Sequence, residues 1–147
     1  MLVLDNDPPS ISNETSPLVA TTGDDLNITM NVTDNIEVSS ARLEYWYGDQ
    51  TNHANVTMSR IGGDDWSVTV TIRQDSLDPL KFAVHAEDSS GNTNVSWERV
   101  VEVMDDDPPI MGPDATKGTV EVNATLKFVV EVHDNIDVSM VWVQYQY

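Results

Sequence analysis

The chain repeats itself at an offset of one hundred residues, and this limits its possible folds more than any other feature. Asp5-Asn6-Asp7-Pro8-Pro9 returns as Asp105-Asp106-Asp107-Pro108-Pro109, and Asp34-Asn35-Ile36-Glu37-Val38-Ser39 returns as Asp134-Asn135-Ile136-Asp137-Val138-Ser139, without a gap. Leu26 falls on Leu126, Val32 on Val132, Tyr45 on Tyr145 and Tyr47 on Tyr147. A period of this length suits one small β-sandwich. Residues 1–4 then read as the end of a preceding repeat, 5–104 as one whole repeat, and 105–147 as the first strands of a second. Three strands cannot bury a core alone. The sequence therefore predicts a longer array or, alternatively, a filament subunit whose second repeat is completed by strands from a neighbour.

Short apolar/polar alternation, the mark of a strand with one buried face, recurs through the first repeat. Leu26, Ile28, Met30 and Val32 point one way, and Asn27, Thr29, Asn31 and Thr33 the other. Further runs follow at Leu43, Tyr45 and Tyr47; at Val56 and Met58; at Trp66, Val68, Val70 and Ile72; and at Phe82, Val84 and Ala86. A last strand runs through Val95, Trp97, Val101 and Val103, and an edge strand lies between Ile11 and Ala20. Turn formers such as Gly62, Gly63, Asp64 and Asp65 separate them. The expected fold class is all-β: an antiparallel β-sandwich of about seven strands, tandemly repeated.

Composition narrows the function. The 147 residues carry 25 aspartates and glutamates against seven lysines and arginines, a net charge of −18. That sign argues against nucleic acid or anionic lipid as a partner. It also makes a compact state repel itself unless cations offset the charge, and calcium is the leading candidate. The chain has no cysteine, which removes disulfides and thiolate metal sites. No apolar run reaches the roughly 20 residues that span a bilayer, so direct membrane insertion is not expected within this sequence.

The segment from Ala86 through Glu87, Asp88 and Gly91 to Asn92, then Val103-Met104-Asp105-Asp106-Asp107-Pro108-Pro109, resembles the immunoglobulin-like repeats of large bacterial and archaeal surface proteins. Acidic linkers followed by proline are also similar to those of cadherin-like domains, although the fuller cadherin linker and glutamate motifs are missing. The resemblance implies an extracellular or cell-surface protein of structural or adhesive role, with calcium between repeats. Its partners would be neighbouring repeats of the same protein, other surface proteins or glycans.

Calcium takes six to eight oxygen ligands, so a site needs acids and amides converging from different loops. Up-and-down strand order would bring Asp5, Asn6 and Asp7 to the same end as Asp34, Asn35 and Asp88, with Asp64, Asp65 and Asn92 nearby. The repeat predicts the same for Asp105, Asp106, Asp107, Asp134 and Asn135. The bland alternative is that aspartate and asparagine are common in turns. The paired prolines stiffen the linkers, which suits a rod.

Six glycosylation sequons, at Asn13, Asn27, Asn31, Asn55, Asn94 and Asn123, exceed the roughly two expected by chance. Polar strand faces rich in threonine would generate some of them anyway. Trp46 and Trp142 each fall on the face opposite their neighbouring tyrosines, where tryptophan can stack on sugars or on a protein. A carbohydrate-binding or spacer module of a secreted enzyme is therefore a second expectation. His53, His85 and His133 have no metal-pair spacing, and no nucleophile elbow or phosphate loop occurs. No catalytic residues, and no enzymatic activity, are expected.

Overall fold

Leu26, Ile28, Met30 and Val32 are all buried in the computed structural model, which describes residues 4–146. Between them Asn27, Thr29, Asn31 and Thr33 line the outer face of the same strand, as period-two alternation requires. The chain divides into two compact units, Met1–Met104 and Asp105–Tyr147.

The first unit holds ten strands and no helix among the described residues. They are β1 (Ser10–Ser12), β2 (Val19–Thr21), β3 (Asp25–Thr33), β4 (Val38–Tyr47), β5 (Ala54–Thr57), β6 (Ser59–Gly62), β7 (Asp65–Thr71), β8 (Leu80–Asp88), β9 (Thr93–Val95) and β10 (Arg99–Met104). One sheet has the order β1-β3-β7-β6, the other β2-β10-β8-β4-β5 with β9 also on β8. All pairings are antiparallel except that of β2 with β10. Between the sheets lie Ile28, Val32, Leu43, Phe82, Val84 and Val101 with their neighbours. The result is a β-sandwich.

Three of the seven expected strands are each divided in two, for local reasons. The edge run from Ile11 to Ala20 starts on one sheet as β1 and ends on the other as β2. Asn13, in the left-handed region at φ 50°, closes β1, and Pro17 cannot donate to a ladder. The run around Val56 and Met58 also crosses between sheets. β5 pairs with β4 and β6 with β7, and Met58 at the crossing is buried with its N–H on the Ala41 carbonyl at 2.9 Å. Val56 therefore faces outward, against the alternation that paired it with Met58. The last strand breaks at Ser96, where the register on β8 slips by one residue: His85 faces Val95, but Phe82 faces Arg99. The extra residue is a bulge, and Trp97 is thrown into solvent, 91% exposed.

The second unit contains one antiparallel pair, β11 (Ile110–Asp114) and β12 (Val130–His133). Residues 138–146 form no strand. In the first unit the corresponding β4 is held between β5 and β8, and no such neighbours occur among the described residues of the second. Leu43 is fully buried; Val143, at the same repeat position, is 47% exposed.

Candidate metal centre

Asp5, Asp34 and Asp88 come together at one end of the first unit, each offering a carboxylate oxygen within 4.8 Å of the other two. They belong to the segment before β1, the loop between β3 and β4, and the end of β8. Alternation delivers none of them; each is placed by local turn chemistry.

Asp34 folds the β3–β4 loop on itself, its Oδ1 accepting from the N–H groups of Ile36 at 2.9 Å and Glu37 at 3.1 Å. This is an aspartate turn of the kind that short acidic side chains favour. Asp5 Oδ1 likewise accepts from its own segment, at Asp7 N–H, and from the Asn35 carboxamide, both at 3.2 Å. In each residue one oxygen is thus engaged. The other, Oδ2 of Asp5 and Oδ2 of Asp34, is buried from solvent and has no hydrogen-bond partner. Buried polar oxygens are ordinarily paired, so two orphaned ones on clustered acids are an exception, and such a place could accept an ion or a water.

Asp88, only 2% exposed, is built differently. Its Oδ1 accepts from Ser90 N–H and Asn92 N–H, each at 2.8 Å, and its Oδ2 from the Asn92 carboxamide at 2.7 Å. Gly91 takes φ 89°, a left-handed value that closes this turn without a Cβ clash. Burial pushes the Asp88 carboxyl up, but the hydrogen bonds from Asn92, Ser90 and Gly91 outweigh it and hold the group below its ordinary range. Asp88 therefore stays ionised. Asn92 Nδ2 also reaches the Asp5 carbonyl at 3.4 Å, tying the β8–β9 turn to the segment before β1.

The electrostatics are unfavourable as they stand. Like charges less than 5 Å apart repel by roughly 3 kcal/mol per pair at an effective dielectric of about 20. The donors are all hard oxygens, which suit calcium or magnesium better than zinc. Asp5, Asp34 and Asp88 could hold such a cation; Asn35 and Asn92 hydrogen-bond to two of them.

The other acids expected here stand apart. Asn6 and Asp7 are exposed. Asp64 pairs with Arg60 at 3.1 Å, and Asp65 accepts from Asn31 at 3.2 Å. In the second unit the same local geometry returns. Asn135 donates to Asp105 Oδ1 at 3.2 Å, Asp107 N–H donates to that oxygen at 3.2 Å, and Asp134 Oδ1 accepts from Ile136 and Asp137 N–H, each at 3.0 Å. Asp106 is exposed, and no third carboxylate joins Asp105 and Asp134 among the described residues.

The tryptophans separate. Trp46 is half-buried and stacked on His53, ring centres 4.1 Å apart and 8° from parallel, so one face is already covered. Trp142 is 73% exposed in the second unit, where its repeat counterpart is Arg42. Beside Trp46, Glu44 joins two histidines, with His53 Nδ1 at 2.8 Å and His85 Nε2 at 2.6 Å. The hydrogen bonds from His53 and then His85 hold the Glu44 carboxyl below its ordinary range. This grouping was not legible in advance. It depends on the β4–β8 register, which sets Glu44 opposite Ala83 and next to His85.

Of the sequon asparagines, Asn94 donates to the Pro9 carbonyl at 2.8 Å, Asn31 donates to Asp65, and Asn27 accepts from Ser67 at 2.7 Å. Asn55 accepts from Arg42. Asn13 and Asn123 are exposed, both in the left-handed region. No protein-family model and no curated protein matches the sequence.

Proposed function

We propose that this chain is a non-catalytic, structural or adhesive repeat of an extracellular surface protein, of the immunoglobulin-like type, in which calcium held by Asp5, Asp34 and Asp88 fastens the start of the repeat to the loops at the same end of the sandwich. The observation that carries this reading is the pair of buried, unpartnered carboxylate oxygens on Asp5 and Asp34, set beside an ionised Asp88. A divalent cation there would neutralise the repulsion and lock three separate segments to one another.

The strand order supports the immunoglobulin-like assignment. β3 lies beside β7 and β4 beside β8, with β2 parallel to β10, a two-sheet arrangement of the Greek-key kind. Return of the Asp5–Asn35 and Asp34 geometry at Asp105, Asn135 and Asp134 supports tandem repetition. The acidic surface, at −18 overall, suits an exported chain in a cation-rich medium.

Calorimetric titration of calcium into the chain, with Asp34→Ala alongside, tests the reading. Binding that disappears in Asp34→Ala supports it. Unchanged heats in both would reduce the acidic loops to solvated turns.

A second reading, assembly by strand complementation, is favoured by one feature. Val143, Tyr145 and Phe128 of the second unit are exposed, whereas the first unit buries residues at the corresponding positions 43 and 28. Concentration-dependent filaments in electron micrographs would favour it, and a monomer at all concentrations would count against it.

A further inference from the structure

The chain is anchored on either side of Trp97, whose indole stands exposed. On one side of it Ser96 is pinned to β8 in both directions: its N–H donates to the Val84 carbonyl at 2.8 Å and its Oγ accepts from Val84 N–H at 2.9 Å. On the other side the Arg99 guanidinium pairs with Glu14 at 2.6 Å. The bulge between these anchors leaves the indole 91% exposed, the highest value of any tryptophan here. An exposed indole beside a cleft offers an apolar face on which a sugar ring can stack.

The indole borders a cleft of about 170 Å³ at the open edge between the sheets. Ile11, Asn13, Glu14, Met30 and Arg99 line it with Trp97. Asn13 opens a sequon completed by Thr15. It is exposed, the left-handed backbone at φ 50° turns it out of β1, and no described residue engages its carboxamide. Asn94 is the contrast. Its amide is spent on Pro9 and its sequon serine on Val84, so that sequon is part of the framework.

We propose that Asn13 carries an N-linked glycan whose first sugar rings stack on the indole of Trp97. In the modification the Asn13 amide nitrogen attacks the anomeric carbon of a lipid-linked oligosaccharide. The nitrogen–carbon bond forms, the carbon–oxygen bond to the lipid phosphate or pyrophosphate breaks, the lipid phosphate leaves, and the amide proton passes to a base of the transferase. The apolar C–H face of a pyranose fits the indole face, while Arg99, paired with Glu14 through one nitrogen, keeps further N–H donors for hydroxyls. The glycan would cover the aromatic that the bulge exposes, and so shield the open edge between the two sheets. This requires an exported chain but not a bound cation, so a failed calcium titration leaves it standing.

The test uses the full chain secreted from a glycosylating host, against the same chain from a host without N-glycosylation. Peptide mass spectrometry reads occupancy at each sequon, and the Trp97 indole N–H resonance, assigned by its loss in Trp97→Phe, reads stacking. The expected result is an occupied Asn13 and a Trp97 resonance that shifts on glycosylation. Asn13→Gln and Thr15→Ala should both abolish the shift, while Trp97→Ala keeps occupancy but releases the first sugar to tumble freely. An unmodified Asn13 overturns the proposal, whatever the state of the other sequons. So does an occupied Asn13 with an unshifted Trp97. A Trp97 shift produced in the unglycosylated chain by free oligosaccharide, with Asn13 unmodified, overturns it in favour of a site for soluble sugar.

Discussion

The carboxamide of Asn35 donates to Asp5 Oδ1 at 3.2 Å, and this single bond ties the loop after β3 to the segment that precedes β1. Its repeat counterpart, Asn135 on Asp105, has the same length. Oδ1 of Asp5 is thereby engaged, which leaves Oδ2 without a partner in a residue that clusters with Asp34 and Asp88. Partners that orient a ligand typically affect metal affinity by about 10- to 100-fold. Asn35→Ala is expected to weaken calcium binding by at least about ten-fold while leaving the far-ultraviolet spectrum unchanged. Calorimetric titration checks this.

Asp34→Asn separates repulsion from binding. In chelator the substitution removes one of three clustered charges, so the unfolding midpoint should rise or stay level. In excess calcium the native chain gains about 2.7 kcal/mol at one hundred times the dissociation constant, and the variant gains little. For a domain of this size that difference corresponds to roughly 10 °C in Tm. Thermal unfolding in the two buffers reads both signs. A variant less stable than the native chain in chelator would contradict the electrostatic account.

Acid should loosen the β8–β9 turn through Asp88. Its folded pKa lies below its unfolded value, so the stability it contributes is present above the unfolded pKa and is lost as pH falls through the folded one. Between neutral pH and about 5 no change is expected from this group, and below about 4 the Ser90 and Asn92 amides should lose protection. Hydrogen exchange at those two amides, against pH, is the measurement. Asp88→Asn should abolish the pH dependence.

Glu44 gives a second titration on the outer face of the same sheet. Its carboxyl should titrate below the ordinary glutamate value in the folded chain, because His53 and His85 both donate to it. The stabilising contribution is again retained above the unfolded pKa and lost as pH falls through the folded one. Carbon-detected NMR of the Glu44 side chain follows the midpoint, which His85→Ala should move back upward. An unmoved midpoint would mean that His53 alone sets it.

Core truncation should distinguish the two units. Leu43→Ala removes a fully buried side chain between two sheets and is expected to cost about 2–5 kcal/mol. Val143→Ala, at the same repeat position but half exposed, should cost within about 0.5 kcal/mol. Urea denaturation of each variant gives both numbers. Equal losses would mean that residues 138–146 are packed in solution.

Much of the sandwich was legible because alternation is a local signal. Leu26 to Val32 on β3 and Phe82 to Ala86 on β8 were placed on the buried face by parity alone, and they are buried. Asp5, Asp34 and Asp88 stood in the sequence among eleven candidate acids and amides, because turn acids combined with strand order point to one end of the fold; which three carboxylates cluster was not legible there. Parity failed where a strand changes partners. Val56 faces outward because the chain crosses sheets at Met58, and Trp97 leaves the alternation because one extra residue is inserted opposite β8. Asp64 and Asp65 are missing from the cluster because Arg60 and Asn31 take them.

By itself the sequence determined the repeat, the all-β character, the buried face of each long strand and the turns in which Asp34 and Asp88 sit. These depend on interactions between residues a few positions apart, which a linear pattern records. Tertiary structure alone decided which aspartate oxygens are left without partners, which tryptophan is exposed, and that Glu44 meets two histidines. The first follows from loops that the fold brings to one end of the sandwich, and the other two from the register between strands distant in the chain. A shift of one residue in that register turns a side chain to the opposite face, and no local pattern carries that choice.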